Sequence, residues 1–600
     1  FEPKMSFIDT PTTIVMVPGM YALRWGRLFS EVDEGTQVTQ VNGNPHVDER
    51  DWERWTRGLW GLGLETYPLR VVLRVDGEDK PTELPVLLPH EVYHAMHEKS
   101  VQLFLQSVVG DEGLGALLSF WEQALTERWA AKHPAFADPS RLDRMVPVRF
   151  WIDGVEVYTD AESTYVAFAS ATGHGAHPSL HCLWMASLLD RLVPTRRLKR
   201  AAWREIVRAF GWSLQCGLRG AGEREREAER EEGEREGERE GEGEGEGAGG
   251  ERGGAGATRE RESAGWMPRR GFYGEWLRGD TARARAAGQR VAGEFSFAFA
   301  GNLGDRKAYQ ELHGWRRYWK CTHMCHLCGA QRPTARADQS LNYTFFGNDA
   351  ACWRTIFSHE EAVAAMDSPF EGEVEGYHVD LDLEDMLHNI LKGHGRQLVA
   401  SYFGEVLLEG LLGDDFEDAM VVADCELRVW SRGHGVRPPR HRLNLRSIGW
   451  QLYDRRNPRE LDQAAIRRTA PEMSSWWKAW EMQVLIPFAA QHALDHGCED
   501  AHGKLRAACL WGLAEWLHVV GTSGRVLDDE SRGRSKIAAS TYLLAYQKLS
   551  AEARAAGSLM WHPIPKHHYF AHMARRTWST GWNPTHESTF MMEDLGGRTP

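Results

Sequence analysis

Residues 294 to 329 read EFSFAFAGNLGDRKAYQELHGWRRYWKCTHMCHLCG. Phe295 to Ala300 alternate phenylalanine with small residues and carry no proline or charge, the pattern of a buried strand, and Gly301-Asn302-Leu303-Gly304 breaks it. Asp305 therefore falls just past a strand end, where a carboxylate is held rigidly and can reach an ion in a cleft. The alternative is that Asp305 caps a helix beginning at Lys307.

Cys321, Cys325 and Cys328 follow, with His323 and His326 between them, and Cys325-His326-Leu327-Cys328 is a CxxC knuckle. Thiolates at this spacing can share one tetrahedral zinc, but a closed site needs four ligands and no second CxxC follows. The expected zinc set is Cys321, Cys325, Cys328 and His323, with His313, Cys352 and His359 as rivals for the fourth place. Reduced, partly buried thiols are the alternative. No thioredoxin-like strand pattern surrounds the pair, which argues against a redox role.

Working outward, 600 residues are enough for two to four domains. Nine cysteines, scattered apart from this cluster, do not form a disulfide framework, so a reducing, intracellular compartment is expected. No apolar run approaches the roughly 18 residues needed to span a bilayer, and no membrane partner is expected. The chain starts at Phe1 rather than Met and ends after Thr599-Pro600, as a fragment would. Net charge is −14, which argues weakly against a large nucleic-acid footprint. Residues 221–265 hold 16 Glu and 8 Arg, so a net −8 is local to them and the rest is nearly balanced. Basic runs such as Arg196 to Arg200 and Arg437 to Arg446 could still meet phosphate, although such runs are commonly solvated faces.

The 221–265 tract is a Glu-Arg-Gly repeat without large apolar residues, and it reads as a disordered loop inside a domain. Residues 1–140 read as a mixed α/β region. Val146 to Ile152 reads as a strand leading into a tight turn at Asp153-Gly154, with a second strand completed by Ser163 to Phe168. Val379 to Leu412 has helical period with a break at Gly393 to Gly395, and Asp385 and His388 share one face at i and i+3. Residues 401–560 read as mostly helical, including Trp476 to Leu494, Lys504 to Val520 and Lys536 to Ala556. The 561–600 segment starts another helix after Pro563 and Pro565 and ends near Glu587, Glu593 and Asp594.

His90-Glu91-Val92-Tyr93-His94 matches HExxH, which on one helical face would bind zinc and activate water as a hydrolase. Pro89, however, puts His90 at a helix start, and no third histidine follows at metzincin spacing.

Taken together, Asp153-Gly154 after a strand, Asp305 to Gly314-Trp315, Cys325-x-x-Cys328, Asp385-x-x-His388, and Pro565-Lys566-x-His568 with His572 resemble the transposases of CACTA-type DNA elements and their Plavaka-like relatives. The resemblance spans roughly Arg149 to Asp594 on short motifs. It implies an α/β fold with an RNase H-like mixed-sheet catalytic core, split between 141–220 and 266–400, and a large all-α insertion before the last acidic residue. It also implies DNA as partner, a nuclear location, and two magnesium ions about 4 Å apart for strand cleavage and transfer. Asp153 and Asp305 would hold them, with Glu587 as the third catalytic carboxylate and Glu593 and Asp385 as rivals. Asp305 is followed by Arg306-Lys307-Ala308 instead of an aromatic and proline, and Leu387 stands where the family has methionine. These departures leave open a domesticated or decayed copy, a catalytically silent DNA-associated or zinc-stabilised protein.

Overall fold

The computed structural model describes residues 64–158, 161–173, 182–219, 265–279, 281–334, 337–449 and 471–589. Glu593 and all but Gly265 of the 221–265 tract lie outside them. The fold is mixed α/β, with a four-stranded mixed sheet and many helices. The chain divides into two compact units, one from Phe1–Trp121, Lys132–Gly301 and Pro369–Tyr377, the other from Glu122–Ala131, Asn302–Ser368 and His378–Pro600.

In the first unit, β1 (Tyr67–Val75) and β2 (Glu78–Val86) form an antiparallel hairpin. Asp76 and Gly77 both take positive φ, 54° and 81°, as a two-residue turn matched to strand twist requires. After helix α1 (Pro89–Lys99) come β3 (Met145–Tyr158), β4 (Ala161–Ser170) and β5 (Leu183–Leu189), paired antiparallel in sequence. Helix α2 (Arg196–Arg219) then crosses the sheet, and β6 (Ser296–Gly304) adds beside β3 to give the order β5-β4-β3-β6. Phe210 of α2 meets Phe150 of β3 edge-on at 5.0 Å, so apolar rings seat the crossover helix on the sheet.

The Asp153-Gly154 turn expected from sequence is not there. Asp153 stands opposite Tyr165 and Gly154 opposite Thr164, well inside the β3–β4 ladder. The physical reason is register: Val155 to Tyr158 can continue the strand, and an Asp-Gly pair turns a chain only when the flanking runs pair across it.

In the second unit, Asp305 follows β6 and caps helix α3 (Arg306–His313), which Gly314 closes in the left-handed conformation at φ 60°. The helices α4 (Gly395–Leu408), α5 (Phe416–Gly433), α6 (Ala479–His496), α7 (Ala501–Thr522), α8 (Asp529–Ala555) and α9 (Pro565–Thr580) share one apolar core. That core includes Leu387, Leu398, Trp477, Leu513, Tyr542 and Phe570, all fully buried, so residues before 401 and after 560 pack with the helical region. A widened turn over Leu387–His394 precedes α4. Gly393 departs from helical backbone there, within the expected break.

Candidate metal centre

Two elements far apart in sequence build the centre. Leu327 N–H donates to Cys325 Sγ at 3.4 Å, and Met324 N–H to the Ala330 carbonyl at 3.1 Å, which folds Cys325 to Cys328 into a tight knuckle. Helix α9 starts at Pro565, suited to the first helical position, and its 3.6-residue period puts His568 and His572 on one face. That face meets the knuckle. Cys328 Sγ lies 3.3 Å from His568 Nε2 and 3.4 Å from His572 Nε2, and Cys325 Sγ lies 3.6 Å from His572 Nε2. The two Nε2 atoms are 3.2 Å apart, and all four candidate ligand atoms lie within 4.8 Å of one another.

The surroundings fix this arrangement. Tyr569 donates its hydroxyl to the Met324 carbonyl at 2.7 Å, Arg306 lies 3.6 Å over the Tyr569 ring, and Trp353 stacks on His568. Arg306 also donates to His326 Nδ1 at 2.8 Å and pairs with Glu384. Burial alone would raise the Cys325 thiol, but a hydrogen bond from Cys328 and the nearby His572 imidazole hold it well below its ordinary value. Cys328 is raised instead, first by its bond to Cys325. Cys352 adjoins Cys328, whose hydrogen bond brings it down to about 7.

The remaining expected zinc ligands do not enter this group. Cys321 is half-buried and His323 exposed on the approach to the knuckle, because Tyr318 to Thr322 turns away before Met324 enters the core. His313 binds Ser368 Oγ at 2.7 Å and faces Asp382 at 3.2 Å. His359 stacks on His378 and accepts from Val379 N–H. The two histidines that the fold brings to these cysteines were present in sequence as His568-x-x-x-His572. Their distance from the cysteines and the nearness of His323 concealed them.

Three of the acidic candidates accept from donors of the chain itself. Asp305 Oδ1 accepts from Ala308 N–H at 2.6 Å, which is a helix cap at a strand end. Asp385 accepts from Ser588 Oγ at 2.8 Å, Thr589 N–H at 2.9 Å, Thr589 Oγ1 at 2.7 Å and Leu387 N–H at 3.1 Å, and it pairs with His388. Glu587 pairs with Arg576, which also donates to Glu127 at 2.7 Å. Both oxygens of Asp385 thus accept from donors of the chain itself, and one oxygen of Glu587 faces a guanidinium.

The HExxH histidines are not assembled either. His90 Nδ1 meets Ser213 Oγ at 2.8 Å, His94 Nδ1 the Val291 carbonyl at 2.8 Å, and Glu91 is tied to Arg283 at 2.5 and 2.9 Å. A glutamate paired this way is no free base, and among the described residues no metal-ligand group includes His90 or His94. Two other groupings exist. Between Glu405, Glu409 and His502, Arg506 already supplies the cation, while Glu426, His492 and His496 offer one carboxylate and two rings.

Comparison with protein-family models, with curated proteins and with solved structures gives no match.

Proposed function

We propose that the chain is a DNA strand-transfer protein of DDE-transposase descent, built on an RNase H-like core. The observation that supports it most is the strand order β5-β4-β3-β6: an antiparallel three-strand meander, a helical crossover, and a fourth strand beside the first. Such a core bears one carboxylate on the first strand and another after the fourth. Asp153 occupies β3, and Asp305 follows the last residue of β6. The resemblance gives each of these carboxylates a part in magnesium-dependent chemistry, in which the ion would supply Lewis-acid activation of water or a 3′ hydroxyl.

The test is magnesium- or manganese-dependent nicking of supercoiled plasmid by the full chain. Asp153→Asn and Asp305→Asn should each reduce it by at least about 100-fold while the circular dichroism stays native. Nicking that is unchanged in both variants sinks the catalytic reading. The engagement of Asp385 and Glu587 favours a second reading, a catalytically silent DNA-associated descendant. It predicts duplex binding that falls steeply with salt and no nicking in either metal.

A further inference from the structure

We propose that Cys325, Cys328, His568 and His572 bind one zinc ion in a closed, tetrahedral site that fastens the Cys325–Cys328 knuckle to α9. The claim stands independently of any strand-transfer chemistry.

Geometry carries it. Zinc binds thiolate at about 2.3 Å and imidazole nitrogen at about 2.0–2.1 Å, so a regular tetrahedron has S···N edges of roughly 3.5 Å and an N···N edge of roughly 3.3 Å. The corresponding separations are 3.3, 3.4 and 3.6 Å for sulfur to nitrogen and 3.2 Å for nitrogen to nitrogen. Four side chains from two remote segments thus converge at zinc-ligand spacing. Two soft thiolates with two imidazoles also select zinc over magnesium or calcium, which prefer oxygen.

The chemistry of the site is structural. Cys325, Cys328 and His568 are buried, and four protein ligands leave no open position for water or substrate. The amide of Leu327 on Cys325 Sγ and the Tyr569 hydroxyl on the Met324 carbonyl orient the knuckle from outside the ligand set.

The test uses the full chain. Purified protein should carry one equivalent of zinc, and its cobalt form should show the visible bands of tetrahedral cobalt with sulfur-to-metal charge transfer. X-ray absorption should show two sulfur and two nitrogen neighbours. Cys328→Ser and His568→Gln should lose the metal, whereas Cys321→Ser and His323→Gln should keep it in full. Because the losing variants can also misfold, His572→Cys provides a gain: metal is retained and the shell shifts to three sulfurs. The proposal is overturned by wild-type protein that binds no zinc, by a shell without two sulfurs, by Cys321→Ser losing the metal as completely as Cys328→Ser, or by an unchanged shell in His572→Cys.

Discussion

Cys325 Sγ and His572 Nε2 lie 3.6 Å apart across 247 positions of sequence. The contact closes a loop that contains α4 to α8, so whatever holds it restrains the chain around the whole helical core. Stripping the metal with a chelator is expected to lower the melting temperature by about 10 °C, as losing a ligand present at several hundred times its Kd would. Zinc added back should restore it, and calorimetry before and after chelation reads both.

Asp385, just before the widened turn over Leu387–His394, anchors the backbone and side chain of Thr589. Burial pushes its carboxyl up, but the His388 imidazole and the Thr589 donors outweigh burial and hold it well below the usual range. A depressed carboxylate adds stability above the unfolded value near 3.9, and loses that contribution as pH falls through the folded value. Asp385→Asn should therefore cost about 2–3 kcal/mol at pH 7, with the gap from wild type narrowing below about pH 4. Urea unfolding at pH 7 and pH 3 measures it.

Arg576 stands between two buried carboxylates, Glu127 and Glu587. Replacing it with methionine leaves both charges without their cation and should cost about 3–5 kcal/mol at pH 8. The deficit should shrink toward pH 5 as the stranded carboxyls take up protons. Adding Glu127→Gln and Glu587→Gln should recover much of the loss, which equilibrium unfolding of the single and triple variants would show.

His502 lies between Glu405 and Glu552, with ring nitrogens 3.1 and 2.8 Å from their oxygens. The hydrogen bond to Glu405 leads in lifting its pKa to about 9. A raised histidine contributes fully below the unfolded value near 6.5, and the contribution disappears as pH rises through 9. After allowance for solvent screening, His502→Gln should destabilise the protein by about 1–2 kcal/mol at pH 6 and by much less at pH 10. A difference that is flat with pH would rule out the charged pairing.

Gly512 lets α7 and α8 approach closely. A Cβ there would stand 2.6 Å from Tyr542 N and 2.8 Å from Ala538 O, both backbone atoms that cannot swing aside. Gly512→Ala should cost about 2–3 kcal/mol. Gly521 in the same helix has nothing within 4 Å of its Cβ position, so Gly521→Ala should be neutral or slightly stabilising.

Local pattern alone determined a good deal. The phenylalanine alternation before Gly301 marks β6, and apolar residues three and four apart mark α6, α7 and α8 to within several residues, because both signals depend only on near neighbours. The break near Gly393 was legible for the same reason. The fate of polar residues was not, since it depends on what tertiary packing brings from elsewhere. Asp153-Gly154 reads as a turn until register places it inside a ladder. Asp385 shows its helical neighbours in sequence but not Ser588 and Thr589, which the fold brings to its oxygens. The zinc set shows the division most clearly: sequence presented Cys325 and Cys328 as half a site, and the fold supplied His568 and His572, because a coordination sphere is defined by distance in space and spacing along the chain constrains only its local half.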